Sequence, residues 1–494
     1  VRDASGAAVP GAGVTLSNDS KGIKLTAQTT DAGVFTFPAL PPSGGYVLDV
    51  QKSGFAKWQT ESFVLAVGQT LDVTAEAPIL EESKTGVTAT VGQLQIDNLP
   101  INGRRVDSYV LMTPGVTNDG EFGLLSFRGV AMGNSFLTDG NDTTNSFYNE
   151  NAGRTRIGSQ ISQDAVQEFQ VLSNGFSAEF GRAMGGVVNT VTRSGSNDTH
   201  GTGYWFFRNR SLSAADRYAN GLKPPEYRHT TGASLGGAIK QDKLFYFTNF
   251  DYTYRNFPGQ NRIVNNSLTD STGNFIPAST CTATTAQCAS AIAFIQKQMN
   301  VIVPRTYNQE IGFAKLDWRA TDYDSITVDL NAMRWKSPHG IQTQAVLTSG
   351  NLLGNNGNST VSDRYGKAAW TRIVNASTVN ELRFGWFKDR LSDPAASDLM
   401  PAETGPLYIT VAGSTVGSAQ AYPRTLPSEN RYQLVDNFSM TRGAHSTKFG
   451  VDFSTTFDYL DQIFNRNGGY AYSNITNFAR DFNGGAFNSG ARNY

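Results

Sequence analysis

Gly232-Ala233-Ser234-Leu235-Gly236 spells the Gly-X-Ser-X-Gly pattern in which a serine serves as an acyl-transfer nucleophile. That chemistry needs the serine on a sharp turn between a strand and a helix. Here Gly237-Ala238-Ile239 runs on as a further extended stretch, so no such elbow is made. The four histidines, His200, His229, His339 and His445, are scattered near turns without metal-ligand spacing. Asp139-Gly140-Asn141-Asp142 offers oxygens to a hard cation but lacks the glycine spacing of an EF-hand loop, and reads as an Asx-rich turn. No phosphate-cradling or dinucleotide fingerprint occurs. These residues point away from an enzyme, and toward a protein that needs neither metal nor cofactor.

Cys281 and Cys288 are the two cysteines, set in a polar stretch with no histidine nearby. The spacing admits a small disulfide loop formed in an oxidising compartment, or two free surface thiols.

The chain that must position these groups has 494 residues, too many for one ordinary core. Its 41 Lys+Arg balance 42 Asp+Glu, so it lacks the basic excess of a nucleic-acid binder. Only 17% of residues are charged while 11% are aromatic and 50 are glycine, a composition for a turn-rich, mainly β protein and not for disorder. No run reaches the ~18 apolar residues of a membrane helix, which says nothing against a barrel. The chain opens at Val1 in mid-pattern, and its expected start lies further upstream.

Three stretches differ in character. Residues 1–78 read as short strands between turns, the spacing of a β-sandwich. Residues 79–195 read as mixed α and β, with a short helix over Val91 to Leu99, a helical turn over Asp164 to Phe169, and a strand over Val187 to Thr192. Residues 196–494 read as alternating strands. Ala314, Leu316 and Trp318 alternate with Lys315, Asp317 and Arg319; Ile326, Val328 and Leu330 alternate with Thr327, Asp329 and Asn331. Phe449, Val451, Phe453 and Phe457 alternate with Lys448, Gly450, Asp452 and Ser454. Such alternation suits a membrane barrel with apolar residues on lipid, or a large soluble sheet with the meaning inverted. Long polar connections, 257–308 and 392–429, contrast with tight turns such as Asn375-Ala376-Ser377, which favours the barrel.

The segment "ISQDAVQEFQVLSNGFSAEFGRAMGGVVNTVTRSGSNDTHG" resembles the plug-to-barrel region of TonB-dependent receptors, in particular the Oar-like branch. "DNLPINGRRVDSYVLMTPGV", "SFRGVAMGNSFLTDGNDTTN" and "GASLGGAIKQDKLFYFTNFDY" extend the likeness, and "SGAAVPGAGVTL" with "YVLDVQKSGF" resembles the carboxypeptidase regulatory-like sandwich. The resemblance implies a small prealbumin-like β-sandwich, an α+β plug and an antiparallel transmembrane β-barrel. About nine strands follow Gly201, against ~22 for a closed barrel of this kind, so an incomplete, open barrel is expected.

The implied function is energised uptake of an unidentified extracellular ligand across the outer membrane; the alternatives are an adhesin or signalling receptor without transport, and a secreted glycan binder. Partners are periplasmic TonB and outer-membrane lipid, with no nucleic acid. Thr70-Leu71-Asp72-Val73-Thr74-Ala75 looks like a TonB box pairing by β-augmentation, or is the last strand of the sandwich. Arg128, Gly129, Asp139, Gly140, Glu179, Gly181, Gly185, Gly186 and Asn189 form the structural plug motif, the last three glycines where plug nears barrel wall. The family's plug glutamate and arginine are replaced by Gln170 and Ser173, so an ion pair on those positions is absent.

Overall fold

The computed structural model describes residues 1–3, 6–37, 39–66, 87–99, 101, 104–105, 107–119, 124–148, 150–151, 157, 159–214, 223, 225–261, 268–270, 280–339, 346–347, 353–355, 357–418, 424–442 and 445–482. The TonB-box candidate, residues 70–75, lies outside them.

The first unit is a sheet of β1 (Gly13–Asn18), β2 (Ile23–Gln28), β3 (Ser43–Gln51), β4 (Trp58–Gln59) and β5 (Phe63–Leu65), with β1 paired to both β2 and β3. Alternate residues Val14, Leu16, Tyr46, Leu48 and Val50 point to one side and make its core, the period-2 logic of a half-buried strand. Gly22 closes the β1–β2 turn at φ 59°, a left-handed conformation glycine adopts without strain.

The second unit is built on a mixed sheet. Its strands are β6 (Val87–Val91), then, after α1 (Gln93–Asn98), α2 (Asp107–Val110) and the hairpin β7 (Val116–Asn118)–β8 (Leu125–Phe127), β9 (Ser135–Thr138) and β10 (Asn141–Asp142). The minor pair β11 (Thr144–Asn145) and β12 (Glu150–Asn151) precedes β13 (Val166–Asn174) and β14 (Val187–Thr192). The order is β10-β9-β14-β13-β6, with β9 and β14 parallel and the other neighbours antiparallel. The helical turn expected over Asp164 to Phe169 is shorter and earlier. Ser162, not Asp164, caps a 3-10 turn of Gln163–Ala165, and Glu168 and Phe169 lie in β13. Pairing of β13 with strands on both sides outweighs the local helical signal. The helix expected over Val91 to Leu99 forms as Gln93–Asn98, because Val91 still belongs to β6 and Gly92 and Leu99 are its caps.

The third unit is a nine-stranded antiparallel wall. It runs in chain order through β15 (His200–Asn209), β16 (Tyr227–Lys240) and β17 (Leu244–Asn256). After β18 (Gly259–Asn261), α3 (Thr285–Gln298) and β19 (Ile302–Val303) come β20 (Thr306–Arg319) and β21 (Asp324–Ser337). After β22 (Val346–Leu347) come β23 (Ser359–Asn375) and β24 (Thr378–Asp393). The hairpin β25 (Tyr408–Val411)–β26 (Ser414–Thr415) leads to β27 (Arg424–Arg442) and β28 (His445–Asp461), and then β29 (Gly469–Tyr472) and α4 (Ile475–Phe482). The wall is open, as expected: β15 and β28 are its edges among the described residues. The Gly-X-Ser-X-Gly sequence lies wholly within β16, with no helix after it.

The alternation along the wall is inverted relative to a soluble sheet. Leu330 is 58% exposed on one face of β21 while its neighbour Asp329 is 1% exposed on the other. Leu235, Phe250, Leu316, Trp318, Phe384 and Leu434 share the outer face; Asn249, Asp251, Lys315, Asp363, Lys367, Asp389 and Gln433 are buried on the inner face. Apolar outside and polar inside is the arrangement a lipid-facing strand requires.

The connections expected to be plain polar loops instead carry folded structure. Leu268, Phe294 and Ile295 from the first, Ile409, Val411 and Val416 from the second, and Tyr472, Ile475, Phe478 and Phe482 from the segment after β28 share one apolar core. The Cys281–Cys288 disulfide lies at the start of α3, with Cα atoms 5.9 Å apart. Thr284 caps this helix through a reciprocal box with Gln287, and Ala291, Phe294 and Ile295 recur at helical spacing on its buried face.

Candidate functional site

Two tight turns of the inner unit present its motif residues. Asp139-Gly140 (φ 46° and 81°) joins β9 to β10, and Arg128-Gly129 (φ 50° and 90°) closes Phe127 onto Val130. Positive φ at both central residues is the two-residue turn that matches strand twist, and it explains glycine at the second place. The Asp139 side chain accepts from Thr192 N at 2.9 Å and from Thr192 Oγ1 at 2.5 Å, so it ties the turn to the end of β14. Asn189 Oδ1 accepts from Gly140 N at 3.0 Å. Gly185 and Gly186 are needed for close packing inside this unit, not against the wall. A Cβ on Gly186 would lie 2.3 Å from the Phe127 ring, and one on Gly185 would lie 2.3 Å from Asn134 Oδ1. Gly181 has no atom within 4 Å of the Cβ it lacks, so close approach does not account for it.

The turn at Asp139 meets the wall at one rung. Lys315 of β20, Asp329 of β21 and Lys367 of β23 stand side by side in register. Lys367 Nζ is 2.9 Å from Asp329 and 3.2 Å from Asp139, and Lys315 Nζ is 3.5 Å from Asp139. All four side chains are nearly excluded from solvent. The wall alone contributes two positive charges and one negative, so Asp139 from the inner unit completes the balance. Burial pushes the Asp139 carboxyl up, but Lys315, Lys367 and the Thr192 hydrogen bonds outweigh burial and hold it below the ordinary aspartate value of 3.8.

A second contact lies between residues 142–146 and strands β24 and β27. Arg431, 1% exposed, sends one guanidinium nitrogen to Asp142 Oδ2 at 2.9 Å and another to the Thr144 carbonyl at 2.6 Å, and it pairs with Glu429. Arg182 reaches the same Asp142 oxygen at 2.9 Å. Ser146 N donates to Glu429 at 2.7 Å, Asn145 Nδ2 to Asp389 at 2.9 Å, and Asp142 N to Gln433 Oε1 at 2.9 Å. A third contact joins Arg104 to Asp164 at 2.8 Å while its guanidinium lies 4.2 Å over the Tyr204 ring. Glu179 pairs with Lys448 on β28. Contacts therefore reach from β15 to β28, and the wall wraps the inner unit. Apolar contact adds Phe247 and Phe313 of the wall to the inner core of Phe127, Phe169 and Val188.

The sequence singles out Asp139 and Glu179 but not their counterparts Lys315, Lys367 and Lys448, nor Arg431 and Glu429, which meet Asp142 and Ser146. The signal available was a charged residue on the inward parity of an otherwise apolar-alternating strand. Gln170 and Ser173, the positions that replace the family's ion pair, are buried in β13. His229, expected near a turn, lies inside β16, where Trp205 Nε1 donates to its Nδ1 at 3.2 Å and Phe207 packs at 4.9 Å. Among the described residues no three His, Cys, Asp or Glu groups are placed to hold a metal.

Residues 191–493 match the family model of the outer membrane beta barrel domain, and residues 1–78 that of the carboxypeptidase regulatory-like domain. Over 299 residues the chain is 26% identical to the TonB-dependent transporter Oar of Myxococcus xanthus, which covers 54% of this chain and 27% of that protein. The chain thus spans about a quarter of that relative's length. Among solved structures it is similar to the ferric enterobactin receptor PfeA of Pseudomonas aeruginosa, with TM-score 0.51, 13% identity, and coverage of 79% of this chain and 51% of that one. It is also similar to the outer membrane transporter YddB of Escherichia coli, with TM-score 0.50, 11% identity, and coverage of 76% and 48%. At these identities the structural likeness concerns the fold.

Proposed function

The chain belongs to the outer membrane β-barrel family, and from that footing we propose that it is the plug-bearing portion of a TonB-dependent receptor that takes up a ligand through the outer membrane. Residues 79–195 are the plug, 196–494 are the barrel portion, and 1–78 are a periplasmic appendage. The observation that carries this reading is the buried polar seam between Asp139, Asp142, Ser146 and the wall residues Lys315, Lys367, Glu429 and Arg431. A purely structural filling would be served better by apolar packing, because buried ion pairs add little net stability. A seam of charge pairs instead gives one well-defined seat that a pull can break and that re-forms in register.

In this reading, TonB pairs with Thr70 to Ala75 as an added strand and draws on the plug from the periplasm. The plug then yields at its weakest edge and opens the lumen to ligand held at the outer face. Tyr148, packed against the Trp335 and Met333 cluster, and the exposed Phe147 lie at the outer end of the plug. No enzymatic step is assigned.

The test is site-directed cross-linking of cysteines at positions 70–75 to TonB in intact cells. Cross-links are expected at alternate positions, and Val73→Pro is expected to abolish them while leaving the folded barrel in the membrane. Unchanged cross-linking in the proline variant would remove the strand-pairing assignment. Complete absence of cross-links would favour an outer-membrane receptor without transport.

A further inference from the structure

The sandwich does not hang free of the wall. Its β1–β2 turn is rigid, because Asn18 Oδ1 accepts from both Lys21 N at 3.2 Å and Ser20 Oγ at 2.8 Å. The turn directs a row of backbone carbonyls and one ammonium at two other segments, 194–197 and the end of β20 at Arg319. Lys21 Nζ donates to Gly195 O at 2.7 Å and to Ser194 O at 3.4 Å. Asn197 N donates to Ser20 O at 2.7 Å, and Asn197 Nδ2 to Asp19 O at 2.9 Å. Arg319 donates to Gly22 O at 2.7 Å and to Lys21 O at 3.1 Å. Asp242, in the β16–β17 turn, is fixed by Asn197 on both sides and lies so close to Gly22 that a Cβ there would be 2.1 Å from its carboxylate. A second foothold is Gln167 Nε2, which donates to Pro42 O at 2.9 Å.

The place where the turn lands matters. Ser194 to Asn197 lie at the centre of the 193–199 link that joins β14 of the inner sheet to β15 of the wall. Gly195 is pressed onto the wall's backbone, where a Cβ would sit 2.2 Å from Tyr246 O and 2.6 Å from Gly237 O. All the wall residues involved belong to the end with short turns, opposite the folded cap around α3 and α4. We propose that the rim formed by Ser194–Asn197, Asp242 and Arg319 is a docking surface for the chain's own sandwich, which stays seated there and clamps the hinge between inner unit and wall.

The clamp deepens the uptake reading, on which its mechanical consequence rests. Residues 67–86 follow β5 of a seated sandwich and precede β6, the edge strand of the inner sheet. A pull applied within them therefore meets a fixed point on one side. On the other it loads the β6–β13 pairing from its open end at Val87 and Asn174, while the hinge is held.

The experiment uses the full chain in outer membranes. Ser20→Cys with Asn197→Cys should close to a disulfide across the rim in most molecules, and Pro42→Cys with Gln167→Cys supplies a second pair if the first disturbs folding. Arg319→Glu should lower the cross-linking yield several-fold. Maleimide labelling of Val171→Cys, buried beneath the β6 edge, then reports opening in energised cells. Labelling should be the same within about twofold with the cross-link closed or reduced. Failure of both cysteine pairs to cross-link in a heat-modifiable barrel overturns the docking. A closed cross-link that drops labelling to the level of cells lacking TonB overturns the fixed clamp, since the sandwich must then leave. Labelling that never depends on TonB would count against the uptake reading and the mechanical role together, while the cross-linking yield would still decide the docking.

Discussion

Asp139 and Lys367 lie 3.2 Å apart although 228 positions separate them in sequence, one on a turn of the inner unit and one on the wall. Their contact completes a buried set of two lysines and two aspartates. Asp139→Asn keeps the shape of the turn but leaves a net positive charge enclosed. It is expected to destabilise the seat of the inner unit by about 3–5 kcal/mol, the range for breaking a buried pair. Protease cleavage of the inner unit in intact outer membranes reads this directly. Adding Lys315→Met should recover part of the loss by restoring the balance. Strict additivity of the two changes would show that these charges do not act as a set.

The same carboxyl makes the stability of the seat depend on pH. Its folded-state value lies below the 3.8 of an ordinary aspartate. As pH falls, the unfolded chain therefore takes up the proton first, and stability rises with pH through that window. The contribution is complete above 3.8 and is lost only as pH drops through the lower folded value. The stability gap between the natural chain and Asp139→Asn should thus be the same at about pH 7 and about pH 5, and should narrow only below about pH 4. A gap already closed at about pH 5 would contradict the lysine-held carboxylate.

Gly186 packs against the ring of Phe127, with no room for a side chain. Gly186→Val should force the ring or β14 to shift, at about 1–3 kcal/mol for overpacking a dense core. Gly181→Ala, where a Cβ meets nothing within 4 Å, serves as the mild control. Comparable loss of protease resistance in both variants would argue against the steric account.

The Cys281–Cys288 bond closes a short loop at the head of α3. Loop-closure entropy for so small a ring gives about 2–3 kcal/mol. Its loss should loosen the cap formed by α3, α4 and the β25–β29 pairing, and leave the wall untouched. Reductant is expected to speed proteolysis within 280–300 without altering the heat-dependent gel mobility of the barrel. An equal effect on both would mean that cap and wall unfold as one.

Much of this architecture is legible in the sequence because it rests on local periodicity. The parity of Leu316 and Trp318 against Lys315 and Asp317 separates the two faces of β20 without any tertiary knowledge, and the contrast of long and short connections favours the apolar face as the outer one. The glycines of Arg128-Gly129 and Asp139-Gly140 likewise announce positive φ. What stayed hidden was long-range. Nothing local tells that Asp139 cancels the surplus of Lys315 and Lys367, or that Phe294, Val411 and Phe478 from three distant segments form one core. The early end of the Ser162 turn belongs to the same class, since β13 is extended only because β6 and β14 flank it. One miss was avoidable. Thr284 and Gln287, followed by apolar residues at 288, 291, 294 and 295, are a helix start with helical spacing inside what looked like a polar loop.

The strongest discriminator between lipid and water on the outer face is a charge placed there. Leu330 and Asp329 are sequence neighbours on opposite sides of β21. If lipid covers the outer face, Leu330→Arg should cost about 2–4 kcal/mol near the bilayer midplane, and less toward either interface. In water the same change at a 58% exposed position should be nearly neutral, within about 0.5 kcal/mol. The equivalent change at Val328, two residues along the same face, should follow the same rule with its own depth. Folding titrations in lipid vesicles, compared with detergent of matched chain length, separate the two environments. A neutral Leu330→Arg in vesicles would place water against that face, and the inward polar seam would then have to be explained without a membrane around the wall.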